Sequence, residues 1–126
     1  MKYVIIKSSK IQGKGVFATR NFKKGETVIK WDISYPLTKK EFESLSQTQK
    51  QYVTYTKRKY LLMQAPAKYI NHSCEPNTTS KNFCDVAARN IKKGEEITTN
   101  YLEDAPKGFS MQCHCGSKKC KKVIKK

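Results

Sequence analysis

The chain has 126 residues, of which 37% are hydrophobic and 29% are charged. This length supports one domain with a modest core, and the composition argues against a disordered or a membrane-spanning protein. The net charge of +16 favours acidic partners such as nucleic acid or chromatin. We give slightly more weight to a merely lysine-rich, solvated surface, because no basic stripe with interleaved aromatic residues stands out.

The N-terminal segment, residues 1–7, predicts a first strand. It is too short for the apolar region of a signal peptide, so we expect an intracellular protein, in the cytoplasm, the nucleus or host chromatin according to its source. Gly13-Lys14-Gly15 follows, and its two glycines allow the backbone to approach a ligand closely. The motif lacks the third glycine of a dinucleotide site and the Gly-Lys-Ser/Thr of a P-loop, which argues against nucleotide binding.

A seven-residue segment occurs twice with one difference, as Arg20–Glu26 and as Arg89–Glu95. Apolar runs flank both copies. Lys-Lys-Gly-Glu between two such runs predicts a strand, a tight turn at a glycine with positive φ, and a second strand. The alternative is chance reuse of a common turn.

A helix is predicted from Lys39 to about Gln51. Thr38 and Glu41 have the spacing of a capping box, and Phe42 and Leu45 begin a helical periodicity. Residues 52–60 are either a strand or an irregular connection, and residues 59–63 form a strand that ends before a proline. Short strands therefore dominate, with one short helix, and the predicted fold class is mostly β.

Three of the five cysteines, Cys113, Cys115 and Cys120, lie within eight residues near the C-terminus. Disulfides would leave one thiol unpaired, whereas this spacing favours a structural zinc site, which requires four ligands. The alternative is a disordered basic tail with unligated thiols.

The fourth zinc ligand must come from Cys74, Cys84, His72 or His114. His114 lies between two ligands, so its side chain would point away, and the apolar neighbours of Cys84 predict a buried thiol. We favour Cys74, which lies in a loop-like run beside Pro76. A metal shared with the tail would hold the C-terminus against residues 71–77 and couple metal binding to folding.

Tyr101 ends a strand predicted over residues 97–101. A buried tyrosine normally finds a partner for its hydroxyl, so a structural role in the core is the simplest hypothesis for it. A cysteine-protease pair of Cys74 and His72 is disfavoured because residues two apart in a tight loop rarely align.

Four segments, taken in order, resemble the SET-domain protein lysine methyltransferases. They span nearly the whole chain: residues 13–18, the Asn-His-Ser-Cys-Glu-Pro-Asn run of 71–77, the Gly-Glu-Glu-Ile-Thr-Thr-Asn-Tyr run of 94–101, and the Cys-His-Cys-x4-Cys of 113–120. The resemblance implies a SET domain over residues 1–103 and a zinc-binding post-SET tail over 104–126, in a single compact unit. It also implies small β-sheets and a C-terminal pseudoknot, an exception to the rule that chains are unknotted.

The resemblance implies an enzyme that transfers methyl groups from S-adenosylmethionine to the side-chain amine of a lysine in a histone or another basic protein. Tyr101 would be the catalytic residue. Zn²⁺ would be bound by Cys74, Cys113, Cys115 and Cys120. The residues that would contact the methyl donor are Lys14, Gly15, Phe17, Asn71, His72, Tyr101, Phe109 and His114.

The target lysine must be neutral to react, and at pH 7 only about one lysine in a few thousand is neutral. A desolvated channel and the positive charge of the donor would both lower the pKa of that lysine. No strong general base stands out in the sequence, so we expect the proton to leave through water.

The chain departs from the family pattern at three positions. Lys68 occupies a place where arginine is common, and Asn100 one where aspartate is usual. Thr99 replaces an aromatic residue that often controls the number of methyl groups added. A small residue there leaves space for di- or trimethylation. Tyr60 or Tyr69 could occupy that space instead, so the sequence does not decide how many methyl groups are added.

A rival hypothesis is a basic module, held together by zinc, that binds nucleic acid or chromatin without catalysis. It explains the charge and the cysteines but not Asn71, His72 and Tyr101 at their spacings. Within the enzyme hypothesis, the sequence does not distinguish a histone from a ribosomal or host protein as the substrate.

Overall fold

The computed structural model describes residues 3–126, in which short strands predominate, as the predicted mostly-β class requires. The first two residues of the predicted N-terminal strand lie outside the described part. The strands in chain order are β1 (Val4–Ser8), β2 (Lys14–Ala18), β3 (Thr27–Lys30), β4 (Pro36–Leu37), β5 (Val53–Thr56), β6 (Lys59–Leu62), β7 (Asn71–His72), β8 (Thr78–Lys81), β9 (Cys84–Ala87), β10 (Glu96–Thr99), β11 (Ser110–Gln112) and β12 (Val123–Lys125).

The single helix predicted from residue 39 to about residue 51 is wrong, because two short helices occupy this segment, α1 (Lys39–Glu43) and α2 (Gln47–Lys50). Ser46 begins the second helix with a capping box of its own. Its hydroxyl accepts from the backbone N–H of Gln49, and the Gln49 side chain accepts from the backbone N–H of Ser46. A second N-cap cannot lie inside a continuous helix, so the chain turns between the two.

The two copies of the repeated segment pack against each other in a reciprocal arrangement. Phe22 and Ile91 exchange both backbone hydrogen bonds, each 2.8 Å long. Asn90 Oδ1 accepts from a lysine N–H of the first copy at 2.9 Å, and Asn21 Oδ1 accepts from a lysine N–H of the second at 2.8 Å. Both turn glycines have positive φ, 91° and 93°. The predicted strand–turn–strand units are confirmed, and their mutual pairing is new.

Four sheets are formed by residues 3–126, with strand orders β1-β2-β10-β7, β3-β9-β8, β4-β6-β5 and β11-β12. The pairing of β10 with β7 is parallel and places Thr98 beside Asn71 and Thr99 beside His72. It therefore brings residues 71–77 next to residues 94–101, which the sequence separates by about twenty positions. The pseudoknot and the boundary at residue 103 stay predictions.

Two apolar clusters stabilise the molecule. The larger contains Val16, Phe22, Ile91 and Ile97, all 2% exposed or less. The smaller lies mainly in the tail and contains Phe109, Cys113 and Ile124, and three further cysteines pack against it. Neither α-helix within the described residues has the length and apolar composition needed to cross a lipid bilayer.

Ile91→Ala should reduce the free energy of unfolding by about 2–5 kcal/mol, because Ile91 is 1% exposed at the contact between the two repeats. Ile5→Ala is the matched control, since Ile5 is 48% exposed in β1 and should cost about 0.5 kcal/mol or less. Urea denaturation of both variants measures the difference. Equal losses would contradict the assignment of the repeat contact to the core.

Candidate active site and metal centre

Tyr101 begins a one-turn 3₁₀ helix (Tyr101–Glu103) two residues beyond the end of β10, where Asn100 caps the turn. The phenol donates to the carbonyl oxygen of Ile70 at 2.5 Å, and the backbone N–H donates to Nδ1 of His72 at 3.0 Å. The ring meets the edges of the His72 and Phe109 rings at centroid distances of 5.4 and 6.2 Å. Two segments, residues 70–72 and the start of the tail, therefore converge on one tyrosine.

The phenol of Tyr101 is neutral at physiological pH. Burial raises its pKa well above the ordinary value, and the nearby Tyr52 and Glu96 reinforce this direction. A neutral phenol donates a hydrogen bond and does not act as a base.

Two cavities meet at Tyr101. The first, about 240 Å³, is lined by the Gly13-Lys14 backbone region, and we call it the glycine-loop cavity. The second, about 70 Å³, is lined by Trp31 and buried strand residues, and we call it the Trp31 cavity. Both are also lined by Gln51, Tyr52 and Lys68.

Asn71 hydrogen-bonds to the residues around the glycine-loop cavity. Its side-chain amide donates to the carbonyl oxygens of Gln12 and Lys14 at 3.1 and 3.0 Å and to Oε2 of Glu96 at 2.9 Å. Gly15 lies against the Glu96 carboxylate, so that a Cβ at this position would clash with it. Glycine at position 15 is thus required by close packing rather than by its φ angle.

Glu96 is a site residue that the sequence analysis missed. Its carboxylate accepts from the Ser9 hydroxyl at 2.8 Å as well as from Asn71. The Gly-Glu-Glu run that carries the family resemblance contains it, but its role was not foreseen, because its partners are 87 and 25 positions away.

The structure brings some, but not all, of the expected donor-contacting residues to the cavities. Lys14, Asn71 and Tyr101 line the glycine-loop cavity, and Phe109 lines the Trp31 cavity. Met111, which the sequence analysis did not name, also lines the glycine-loop cavity.

Four expected donor contacts, Gly15, Phe17, His72 and His114, line neither cavity. Phe17 in β2 lies under the Lys7 ammonium, 4.5 Å from the ring centroid. His114 is exposed and lies beside the cysteine cluster in the tail.

His72 is a buried positioning residue between Tyr101 and Cys74. Burial lowers its pKa, and the charge of Lys121 lowers it further, so the ring is neutral. Nδ1 accepts from the N–H of Tyr101, which leaves the proton on Nε2, 3.5 Å from Cys74 Sγ. The ring therefore links the tyrosine to the cysteine cluster.

The four cysteines expected to bind zinc come together. The Sγ atoms of Cys74, Cys113, Cys115 and Cys120 all lie within 4.8 Å of one another, and those of Cys74 and Cys113 are 3.9 Å apart. Tetrahedral zinc with Zn–S bonds of 2.3 Å requires sulfur separations of about 3.8 Å. The cluster thus fits a Zn²⁺ ion.

The surroundings of the cysteine cluster also suit thiolate ligands. Backbone N–H groups of Lys121 and Lys122 donate to the sulfurs of Cys74 and Cys120, each at 3.4 Å. Cys84 belongs to β9, outside the cluster, and is half-buried rather than fully buried as expected.

A third feature is the buried carboxyl of Asp85 in β9, which is 3% exposed and lines the Trp31 cavity. Trp31 Nε1 donates to its Oδ2 at 2.8 Å. Burial raises the pKa of Asp85 to about 7, and the charges of Asp104 and Glu103 add to the rise, while the Trp31 hydrogen bond opposes it. The sequence analysis missed Asp85, although an acidic residue inside a short strand was a usable signal.

Cys120→Ser should lose zinc, whereas Cys84→Ser should retain about one zinc ion per chain, as the unaltered protein should. The reason is that Cys120 belongs to the four-sulfur cluster and Cys84 does not. Metal analysis of the purified proteins measures this. Zinc retention in Cys120→Ser, or its loss in Cys84→Ser, would contradict the ligand set.

The stability contributed by Asp85 should be lost as pH rises. Its pKa is raised from 3.8 to about 7 on folding, so between these values the folded chain binds more protons than the unfolded chain. Asp85→Asn cannot ionise, and relative to the unaltered protein it should gain stability as the pH rises from 5 to 8, by at most about 3 kcal/mol. Urea denaturation of both proteins at both pH values measures this, and a difference that does not change with pH would contradict it.

Comparisons with known proteins agree with this geometry. Over 135 aligned residues the chain is 32% identical to human histone-lysine N-methyltransferase 2B, covering 92% of this chain and 5% of that protein. It is 32% identical over 141 residues to histone-lysine N-methyltransferase trithorax of Drosophila virilis, covering 97% of this chain and 4% of that protein. The chain thus spans only a small part of these relatives. The model of the SET domain family matches residues 13–102, and the protein therefore belongs to the SET-domain family.

Proposed function

We propose that this chain is a protein-lysine N-methyltransferase that takes its methyl group from S-adenosylmethionine. The observation that carries the proposal is the position of Tyr101 where two cavities meet, one lined by the glycine loop and Asn71 and the other by buried strand residues. Two sites that share one phenol suit a reaction that brings two reactants together. Membership of the SET-domain family and the names of the relatives support the same activity.

The glycine-loop cavity suits the methyl donor chemically. Lys14 and Lys68 line it and would pair with the donor's carboxylate, and the backbone near Gly13 is accessible to polar groups. Tyr69 lies beneath both lysine ammonium groups, at 5.8 and 5.3 Å. When bound, S-adenosylmethionine supplies an electrophilic methyl group on a sulfonium ion.

The target lysine would enter the Trp31 cavity, and burial there would remove water from around its amine. Desolvation lowers the pKa of an amine, and only the neutral amine has a lone pair for attack. The nitrogen gains the methyl group and gives up one proton. Tyr101 would orient the amine by hydrogen bonding, with its phenol held by the carbonyl of Ile70.

We assign a structural role to zinc. A zinc ion held by the four cysteines would hold the tail so that Phe109 packs against Tyr101. His72 would transmit this constraint, since its ring lies between Tyr101 and Cys74.

The substrate class that we propose is a histone or another basic protein, as the names of the relatives suggest. Thr99 is a small residue that lines the Trp31 cavity and would leave space for several methyl groups. Tyr52 and Tyr101 line the same cavity and limit that space, so we propose no number of methyl groups added.

Tyr101→Phe should fold, bind the donor and lose methyl transfer by at least about 100-fold, because it removes one hydrogen-bonding hydroxyl at the reacting centre. The assay follows labelled methyl groups from S-adenosylmethionine into a mixed histone panel and into lysate proteins, and donor affinity is measured by calorimetry. Tyr55→Phe is the matched control, since Tyr55 is 38% exposed and lines neither cavity. Turnover of Tyr101→Phe near that of the unaltered protein would refute the assigned role.

The charge of +16 supports a second candidate, a non-catalytic domain that binds nucleic acid. DNA binding that weakens steeply with salt, together with no methyl transfer to any protein tested, would favour this candidate over the enzyme.

A further inference from the structure

The Trp31 cavity contains polar groups that the function proposed above does not use. Asp85 lines it with a carboxyl that is 3% exposed. Within residues 3–126, the one hydrogen bond to the Asp85 side chain comes from Trp31, and it occupies Oδ2. The two ion pairs in this part of the chain are Arg20–Glu26 and Arg89–Glu95, so no protein cation pairs with Asp85.

Thr99 adds a hydroxyl without a hydrogen-bond partner to the same cavity. Its Oγ1 is the one buried side-chain nitrogen or oxygen in residues 3–126 without a hydrogen-bond partner. Buried polar groups are rarely left in this state unless a ligand or water completes them. An acidic group and a hydroxyl acceptor therefore line a cavity that also contains Tyr101.

We propose that Asp85, assisted by Thr99, is the group that binds the amine of the substrate lysine in the Trp31 cavity. This inference rests on the proposed function, and it adds a substrate-binding residue to it. The chemistry selects a primary or partly methylated ammonium group, which carries N–H donors and a positive charge for an acceptor-only carboxylate.

The size of the cavity agrees with this ligand. About 10–15 Å³ admits one water-sized group, so 70 Å³ admits the end of an unbranched chain and no bulky side chain. Trp31 and Met63 supply apolar walls for the methylene groups, and Asp85 supplies the polar end.

Pairing with Asp85 does not trap the amine in its unreactive charged form. With a pKa of about 7, the Asp85 carboxylate is a stronger base than an ordinary aspartate. Beside this buried carboxyl a proton can pass from nitrogen to the carboxylate: one N–H bond breaks, one O–H bond forms, and both partners become neutral. The other titratable groups that line the cavity or face Asp85 are Lys68, Glu103, Asp104, Tyr52 and Tyr101.

The test uses Trp31, the single tryptophan of the chain, as a reporter. Its indole N–H donates to Asp85, so its ¹H–¹⁵N resonance responds to any cation that pairs with the carboxylate. The zinc-loaded protein is titrated at pH 8 with n-butylammonium chloride, which matches the end of a lysine side chain, and separately with n-butanol. A saturable shift with the ammonium and weaker binding of the alcohol are expected.

Asp85→Asn should weaken n-butylammonium binding by about tenfold or more and leave n-butanol binding unchanged. The matched control is Asp104→Asn, a half-buried carboxylate lining the same cavity, which should weaken binding less than about threefold. Thr99→Val, which removes only the unpartnered hydroxyl, should weaken binding by an intermediate factor. If Asp85→Asn does not fold, two other results decide whether the cavity binds the ammonium group. They are the preference of the unaltered protein for the ammonium over the alcohol and the effect of Thr99→Val.

The proposal is overturned if the unaltered protein gives no saturable shift, if it binds the alcohol as well as the ammonium, or if Asp85→Asn and Asp104→Asn weaken binding equally. The methyl-transfer assay is run in parallel on the same proteins. Methyl transfer without selective ammonium binding refutes the role of Asp85 and leaves the proposed function intact. If the protein binds ammonium selectively through Asp85 but transfers no methyl group to any protein, the proposed function is refuted and the cation-binding role of Asp85 stands.

Discussion

The hydrogen bonds that hold Tyr101 against residues 70–72 are the constraint on which the rest of the site depends. The phenol donates to the carbonyl of Ile70, and the backbone N–H donates to His72. Parallel pairing of β7 with β10 makes both contacts possible, because it aligns the two segments residue by residue. Because Tyr101 is held through both its hydroxyl and its backbone N–H, it would lose little conformational entropy on orienting a reactant.

The tail contributes to the same constraint from the other side. Phe109 packs its edge against the ring of Tyr101, and the second apolar cluster joins it to the cysteines. His72 hydrogen-bonds to Tyr101 and lies 3.5 Å from Cys74 Sγ, so the cysteine cluster and Tyr101 share one imidazole. The cysteine cluster therefore contacts Tyr101 by two routes, one through His72 and one through Phe109.

The polar groups around Tyr101 divide into two kinds. Those of Asn71 and Glu96 are half-buried, are paired with each other and support the glycine loop. The Asp85 carboxyl has one hydrogen bond within residues 3–126 and the Thr99 hydroxyl has none, and both line a cavity beside Tyr101. Polar groups with a purely structural role normally have hydrogen-bond partners within the protein. A polar group in a cavity that lacks such a partner is therefore a candidate for binding a ligand.

The sequence by itself determined the mostly-β class, the two glycine turns, the capping box at Thr38 and the cysteine spacing, because each depends on residues near one another in the chain. It also indicated the family through short motifs. Only the tertiary structure decided that the repeats pair with each other, that His72 supports Tyr101, and that Asp85 lines a cavity. These features depend on contacts between residues tens of positions apart, and local propensity does not encode which distant partner a buried polar group will meet.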